Sequence, residues 1–118
     1  MEESLNYFYS TVGMILEKCK ELAICQKRAM EDDYYELVLL TKEIRKWDEV
    51  CGEVLGPARK PKGVQPTLTD IELTRQYGGI FDNQTLFKSD SGNESVIAMF
   101  WPWQDGMHVT LKIAHLKW

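Results

Sequence analysis

Met30-Glu31-Asp32-Asp33-Tyr34-Tyr35-Glu36-Leu37 stands between two runs of helically spaced apolar residues, and its reading decides how the first half of the chain folds. Upstream, Leu5, Phe8, Val12, Ile15, Cys19 and Leu22 step by three and four; downstream, Leu37, Leu40, Ile44, Trp47, Cys51 and Val54 do the same. Such steps lay one apolar stripe along a helix. The two series are out of phase, because fifteen residues, one more than two heptads, separate Leu22 from Leu37. Within the stretch, Asp32 or Asp33 can cap a second helix, with Glu36 three residues after Asp33 as in a capping box. The expectation is a helical hairpin over residues 3–55, with helices near 3–30 and 33–55. One continuous helix carrying a phase shift is the alternative.

The second helix should close near Leu55, since Gly56 can take positive φ and Pro57 cannot continue it. Residues 56–68 then read as an extended, exposed linker, with Pro57, Pro61 and Pro66 interleaved with Arg59, Lys60 and Lys62. Thr69 and Glu72 have capping-box spacing, which favours a short helix over Ile71 to Tyr77, closed by Gly78-Gly79. Beyond that the pattern becomes β. Strands are expected over Ile80 to Lys88, Glu94 to Trp101 and His108 to Leu116, joined by turns at Ser89–Asn93 and Gln104-Asp105-Gly106. The expected fold is α+β: an N-terminal helical hairpin packed on a small C-terminal antiparallel three-stranded sheet. Residues 1–118 would form a single domain, because neither half can bury its apolar surface alone. A stripe left over from the hairpin would favour a homodimer.

The chain has 118 residues, 44% of them apolar and 27% charged, and no apolar run approaches a membrane span. Fourteen basic against eighteen acidic residues, net −4, disfavour nucleic acid as a partner. Met1-Glu2-Glu3 does not open like a secretory signal. Cys19, Cys25 and Cys51 are an odd number without a CxxC, as expected of free, mostly buried thiols in a reducing compartment. A cytoplasmic location follows as the expectation. His108 and His115 lie in the other half of the chain from the cysteines, so no metal site and no cofactor are assigned.

His108-Val109-Thr110-Leu111 resembles one half of the two-histidine phosphoesterase motif, which would make His108 an acid–base group in a small hydrolase. The second half is missing, and no GxSxG, HExxH or phosphate loop is present. No catalytic residue is assigned, and a non-catalytic role is favoured. Phe100-Trp101-Pro102-Trp103 and Trp118 form the densest aromatic group. On a strand, Phe100 and Trp101 point to opposite faces, and a two-layer domain buries only one. The exposed member, with Tyr34 and Tyr35 at the helical bend, would make a protein- or ligand-binding patch. The basic linker residues Arg59, Lys60 and Lys62 form a second, weaker candidate surface. These features favour an adaptor, chaperone-like or inhibitor protein with another protein as partner. The alternative is a small-ligand domain with an aromatic-lined pocket between hairpin and sheet.

Ile15-Leu16-Glu17-Lys18-Cys19-Lys20-Glu21-Leu22, followed by Glu31-Asp32-Asp33-Tyr34-Tyr35-Glu36-Leu37, resembles flagellar-type export chaperones over about forty residues. That resemblance implies a helical bundle binding its partners through amphipathic helices.

Overall fold

The computed structural model describes residues 2–117, with side chains from Asn6 onward. In chain order the elements are α1 (Glu2–Lys18), β1 (Gln26–Glu31), β2 (Tyr34–Leu40), α2 (Ile44–Leu55), α3 (Leu68–Thr74), β3 (Thr85–Ser91), β4 (Glu94–Pro102) and β5 (His108–Lys117). Short 3-10 turns at Thr41–Glu43 and Arg75–Tyr77 lead into α2 and out of α3. The strands form one antiparallel sheet in the order β1-β2-β5-β4-β3. The fold is α+β, as expected, but its parts differ from the expectation. There is no helical hairpin over residues 3–55, and the sheet has five strands rather than three. The all-helical bundle implied by the chaperone resemblance is absent as well.

The difference lies in residues 30–37 and those that follow. Leu37, Val38 and Leu39 are all buried, at 0%, 2% and 0% exposure. Three consecutive core residues do not fit one stripe of a surface helix. They do fit a central strand covered on both faces, and β2 lies between β1 and β5. The steps 37, 40, 44 and 47 joined the end of this strand to the start of α2 and imitated one helix. Asp32-Asp33 form the turn of a β1–β2 hairpin, not a helix cap. No non-glycine residue described has positive φ, so this turn is not the primed kind that Asn-Gly advertises. Upstream, α1 ends at Lys18, and Cys19 N–H bonds to the Ile15 carbonyl at 3.1 Å. Leu22 N–H then bonds to the Cys19 carbonyl at 2.9 Å, turning the chain back toward the sheet.

α2 matches its expected end, with Gly56 at φ 95° closing it. Its stripe enters the core: Trp47, Val50 and Cys51 are fully buried, and Ile44 is half-buried. With Phe8, Val12 and Ile15 of α1 they cover Leu37, Leu39, Ala98, Phe100, Leu111 and Ile113 on one face of the sheet. The opposite face carries Leu86, Ile97, Met99 and Ala114, and Tyr77 and Ile80 from the segment after α2 pack onto it. Both faces are therefore covered, at least in part, where one had been expected.

That segment is not an open linker. The Lys60 backbone pairs with Leu86 through bonds of 3.1 and 2.9 Å, extending the sheet beyond β3. Its side chain is 1% exposed, and the ammonium donates to the carbonyls of Pro61 (2.9 Å), Asp82 (3.0 Å) and Gln84 (2.6 Å). Arg59 Nε bonds the buried Asp70 carboxylate at 2.7 Å. Asp70 also closes a capping box with Thr67, so α3 starts two residues before the Thr69–Glu72 pair. Ile80 plugs the second face instead of opening a strand, and β3 begins at Thr85. Cys19 and Cys51 are buried, whereas Cys25 is exposed. Among the described residues no helix is long and apolar enough to cross a membrane.

Candidate functional site

Alternation along β4 sends Phe100 and Trp101 to opposite faces. Phe100 is 4% exposed and meets Phe87 edge-on, with ring centroids 6.0 Å apart. Trp101 is half-buried on the face away from α1 and α2. Its ring lies so close to Gly78 that a Cβ there would fall 2.4 Å from the indole Cη2. Lys112 Nζ sits 3.3 Å from the Trp101 ring centroid and donates to the Tyr77 carbonyl at 2.8 Å. Burial lowers the Lys112 pKa, and nearby Glu36 opposes that shift. The Tyr77 ring stacks on Tyr34 at 5.4 Å, and Tyr34 Oη donates to Glu36 Oε1 at 2.7 Å. Burial, reinforced by the bond to Glu36, pushes the Tyr34 phenol well above its usual range. Tyr34, Tyr77, Gly78, Trp101 and Lys112, with Glu31, Asp33 and Gln76, line a cleft of about 630 Å³.

Trp103 belongs to the same face. Its indole N–H donates to Thr110 Oγ1 at 2.8 Å, and Thr110 lies two residues before Lys112 on β5. The Arg28 guanidinium covers the Trp103 ring at 5.3 Å, and the His108 ring lies 4.9 Å away. Thus Trp101, Trp103 and Tyr34 come together on one face. Phe100 and Tyr35 do not join them: Tyr35 packs edge-on against Phe8 at 5.9 Å, on the helix side. Trp118 lies outside the described residues. Arg59 and Lys60 are held by Asp70 and by three carbonyls, whereas Lys62 is exposed and makes no hydrogen bond or ion pair with a described residue.

His108 and His115 do not form a paired acid–base site. They point to opposite faces of β5, His108 bonded to Asp105 at 2.7 Å and His115 to Glu94 at 2.9 Å. The Thr110 hydroxyl, a phosphate holder in the motif that His108 resembles, is occupied by Trp103. Among the described residues no three His, Cys, Asp or Glu side chains gather as a metal site.

Sequence reasoning missed a second feature beside the cleft. Val64, Leu68, Ile71 and Phe81 are 49%, 82%, 37% and 60% exposed. Gly63 N–H bonds the Asp82 carbonyl at 2.7 Å, which brings the Val64 turn beside Phe81. Ile71 and Phe81 share a depression of about 240 Å³ with Pro66 and Gly79. The cleft ends at Gly78 and this depression begins at Gly79, so the two surfaces adjoin. One signal was available: Leu68 and Ile71 are three apart on a helix too short to bury both of them and Leu73.

The geometry defines a five-stranded antiparallel sheet with α1 and α2 on one face and the α3 segment on the other. Comparison with protein-family models, with curated proteins and with solved structures gives no match for the chain.

Proposed function

We propose that this protein works by binding another protein, without catalysis, through the face that carries α3. The observation behind this reading is the exposed group Val64, Leu68, Ile71 and Phe81. Large apolar side chains gathered at a surface mark sites that are covered in use. The Tyr34–Tyr77–Trp101 cleft and Trp103 extend this surface with rings that present both an apolar face and a polar edge. An adaptor, chaperone-like or inhibitor role fits such a surface.

The test is affinity capture with wild type and with Leu68→Ser/Phe81→Ser. Both side chains are mainly exposed, so folding stability should change by less than about 0.5 kcal/mol. A stoichiometric partner captured by wild type should be lost from the double variant. Trp103→Ala should weaken the same complex by about 2 kcal/mol. Undiminished capture by the double variant would remove the support for this reading.

A further inference from the structure

A separate cavity of about 340 Å³ lies between the start of α2 and the β4–β5 end of the sheet. Ile44, Phe100, Pro102 and Val109 give it an apolar lining, and Arg45, Asp48 and Lys62 stand around it. That volume is at the lower end of those that hold small organic ligands.

The charges are the informative part. Arg45 comes from α2 and Lys62 from the segment before α3, so two elements bring cations to one opening. Neither makes a hydrogen bond or ion pair with a described residue. Elsewhere the basic side chains near an acid are engaged, as in Arg28–Glu36, Arg59–Asp70 and Arg75–Glu72. The N-cap of α2 is Glu43, whose carboxylate makes no cap bond and instead accepts from the Ala23 N–H at 3.0 Å. Among the described residues Asp48 is the one acid lining the cavity, against two cations.

We infer that this cavity binds a small amphipathic carboxylate, its apolar body against Ile44, Phe100, Pro102 and Val109 and its anionic head held by Arg45 and Lys62. An apolar floor alone would accept any apolar molecule. The two cations select the anion, since charge-assisted bonds from Arg and Lys to a carboxylate are the stronger kind. The site is distinct from the α3 face, and neither proposal depends on the other.

Octanoate, octanol and octylamine, which share a chain and differ in head group, are suitable probes. Each is titrated into the full chain and followed by two-dimensional amide NMR. Octanoate should give saturable shifts centred on Ile44, Arg45 and Val109. Octanol and octylamine should bind at least about tenfold more weakly, the worth of one charge-assisted bond. Arg45→Gln and Lys62→Gln should each weaken octanoate by about fivefold to tenfold, with spectra elsewhere unchanged. Octanol binding as tightly as octanoate would reduce the site to an apolar hollow and overturn the proposal. Tighter binding of octylamine would show that Asp48 sets the selectivity, and would overturn it too. So would undiminished octanoate affinity in both Arg45→Gln and Lys62→Gln, or the absence of saturable shifts near the cavity.

Discussion

The two faces of the sheet are held by different physics. On the helix side, α1 and α2 close over the strands with apolar side chains, from Phe8 and Ile15 to Trp47 and Cys51. On the other side a smaller apolar group is supplemented by placed polar contacts: the Lys60 ammonium on three carbonyls, Arg59 on Asp70, and Lys112 between Trp101 and Tyr77. Apolar burial is non-directional and covers most of a face, here leaving a cavity at the β4–β5 end beside α2. Polar anchors fix a segment at points and leave the surface between them open. That is why the exposed apolar group and the aromatic cleft lie on the second face.

The largest expected effect tests the apolar side of this contrast. Trp47 is fully buried, and Trp47→Ala should cost about 3–5 kcal/mol in a urea titration. Its indole N–H has no hydrogen-bond partner among the described residues. Trp47→Phe, which removes that donor and keeps most of the volume, should therefore cost less than about 1.5 kcal/mol. If the two variants were equally destabilised, apolar filling would not be what holds this face.

Lys60→Met tests the other side. It keeps an unbranched chain of similar length but leaves the carbonyls of Pro61, Asp82 and Gln84 without their donor. A loss of about 2–4 kcal/mol is expected. Hydrogen exchange should show residues 60–86 opening while α1 and α2 stay protected. A uniform loss of protection would mean that the two faces are not held separately.

Parts of the architecture were legible in the residues, although the helical hairpin and the three-stranded sheet were not the right whole. The end of α2 at Leu55, the Gly56 stop, a short helix before Gly78, found at Leu68–Thr74 rather than over Ile71 to Tyr77, and strands β4 and β5 follow from periodicity and turn chemistry. The β1–β2 hairpin was not, for two reasons. Its central strand is buried on both faces and has no alternation, and Asp32-Asp33 offers no glycine to signal a turn. Lys60 was misread because composition marks Arg59-Lys60-Pro61-Lys62 as solvent-exposed. Only the fold shows three carbonyls meeting one ammonium. The aromatic site was half legible. Trp101, Trp103 and Tyr34 were expected at a surface, but Tyr77 and Lys112 join them only because the turn after α3 is brought against β5, where Lys112 donates to the Tyr77 carbonyl.

Gly78 should show a smaller effect. Its φ is 101°, and the space a Cβ would need is taken by the Trp101 ring. Gly78→Ala should cost about 1–3 kcal/mol. It should also shift Trp101 fluorescence by prising the 3-10 turn from the indole. Gly79→Ala is the matched control: its φ is also positive, at 84°, but no atom stands within 4 Å of the added carbon. Equal effects from the two would make backbone strain, not the contact with Trp101, the cause.

Asp70 gives the smallest expected effect and one that pH can resolve. Burial alone would raise its carboxyl pKa, but the Thr67 backbone N–H and the Arg59 guanidinium outweigh burial and hold it below the usual value. A carboxyl lower in the folded than in the unfolded chain adds stability that is fully present above the unfolded pKa of about 3.9. That contribution is lost as pH falls through the folded value. Asp90, held low first by Lys88, and Asp105, held low first by His108, titrate in the same window. Both remain in Asp70→Asn, so the difference between wild type and variant isolates Asp70. The variant should be less stable by about 1–2 kcal/mol at pH 7. The gap should narrow below about pH 4 as the wild-type carboxylate takes up its proton. A gap that stays constant to pH 2 would mean that Asp70 anchors α3 by shape and hydrogen bonding alone, without its charge.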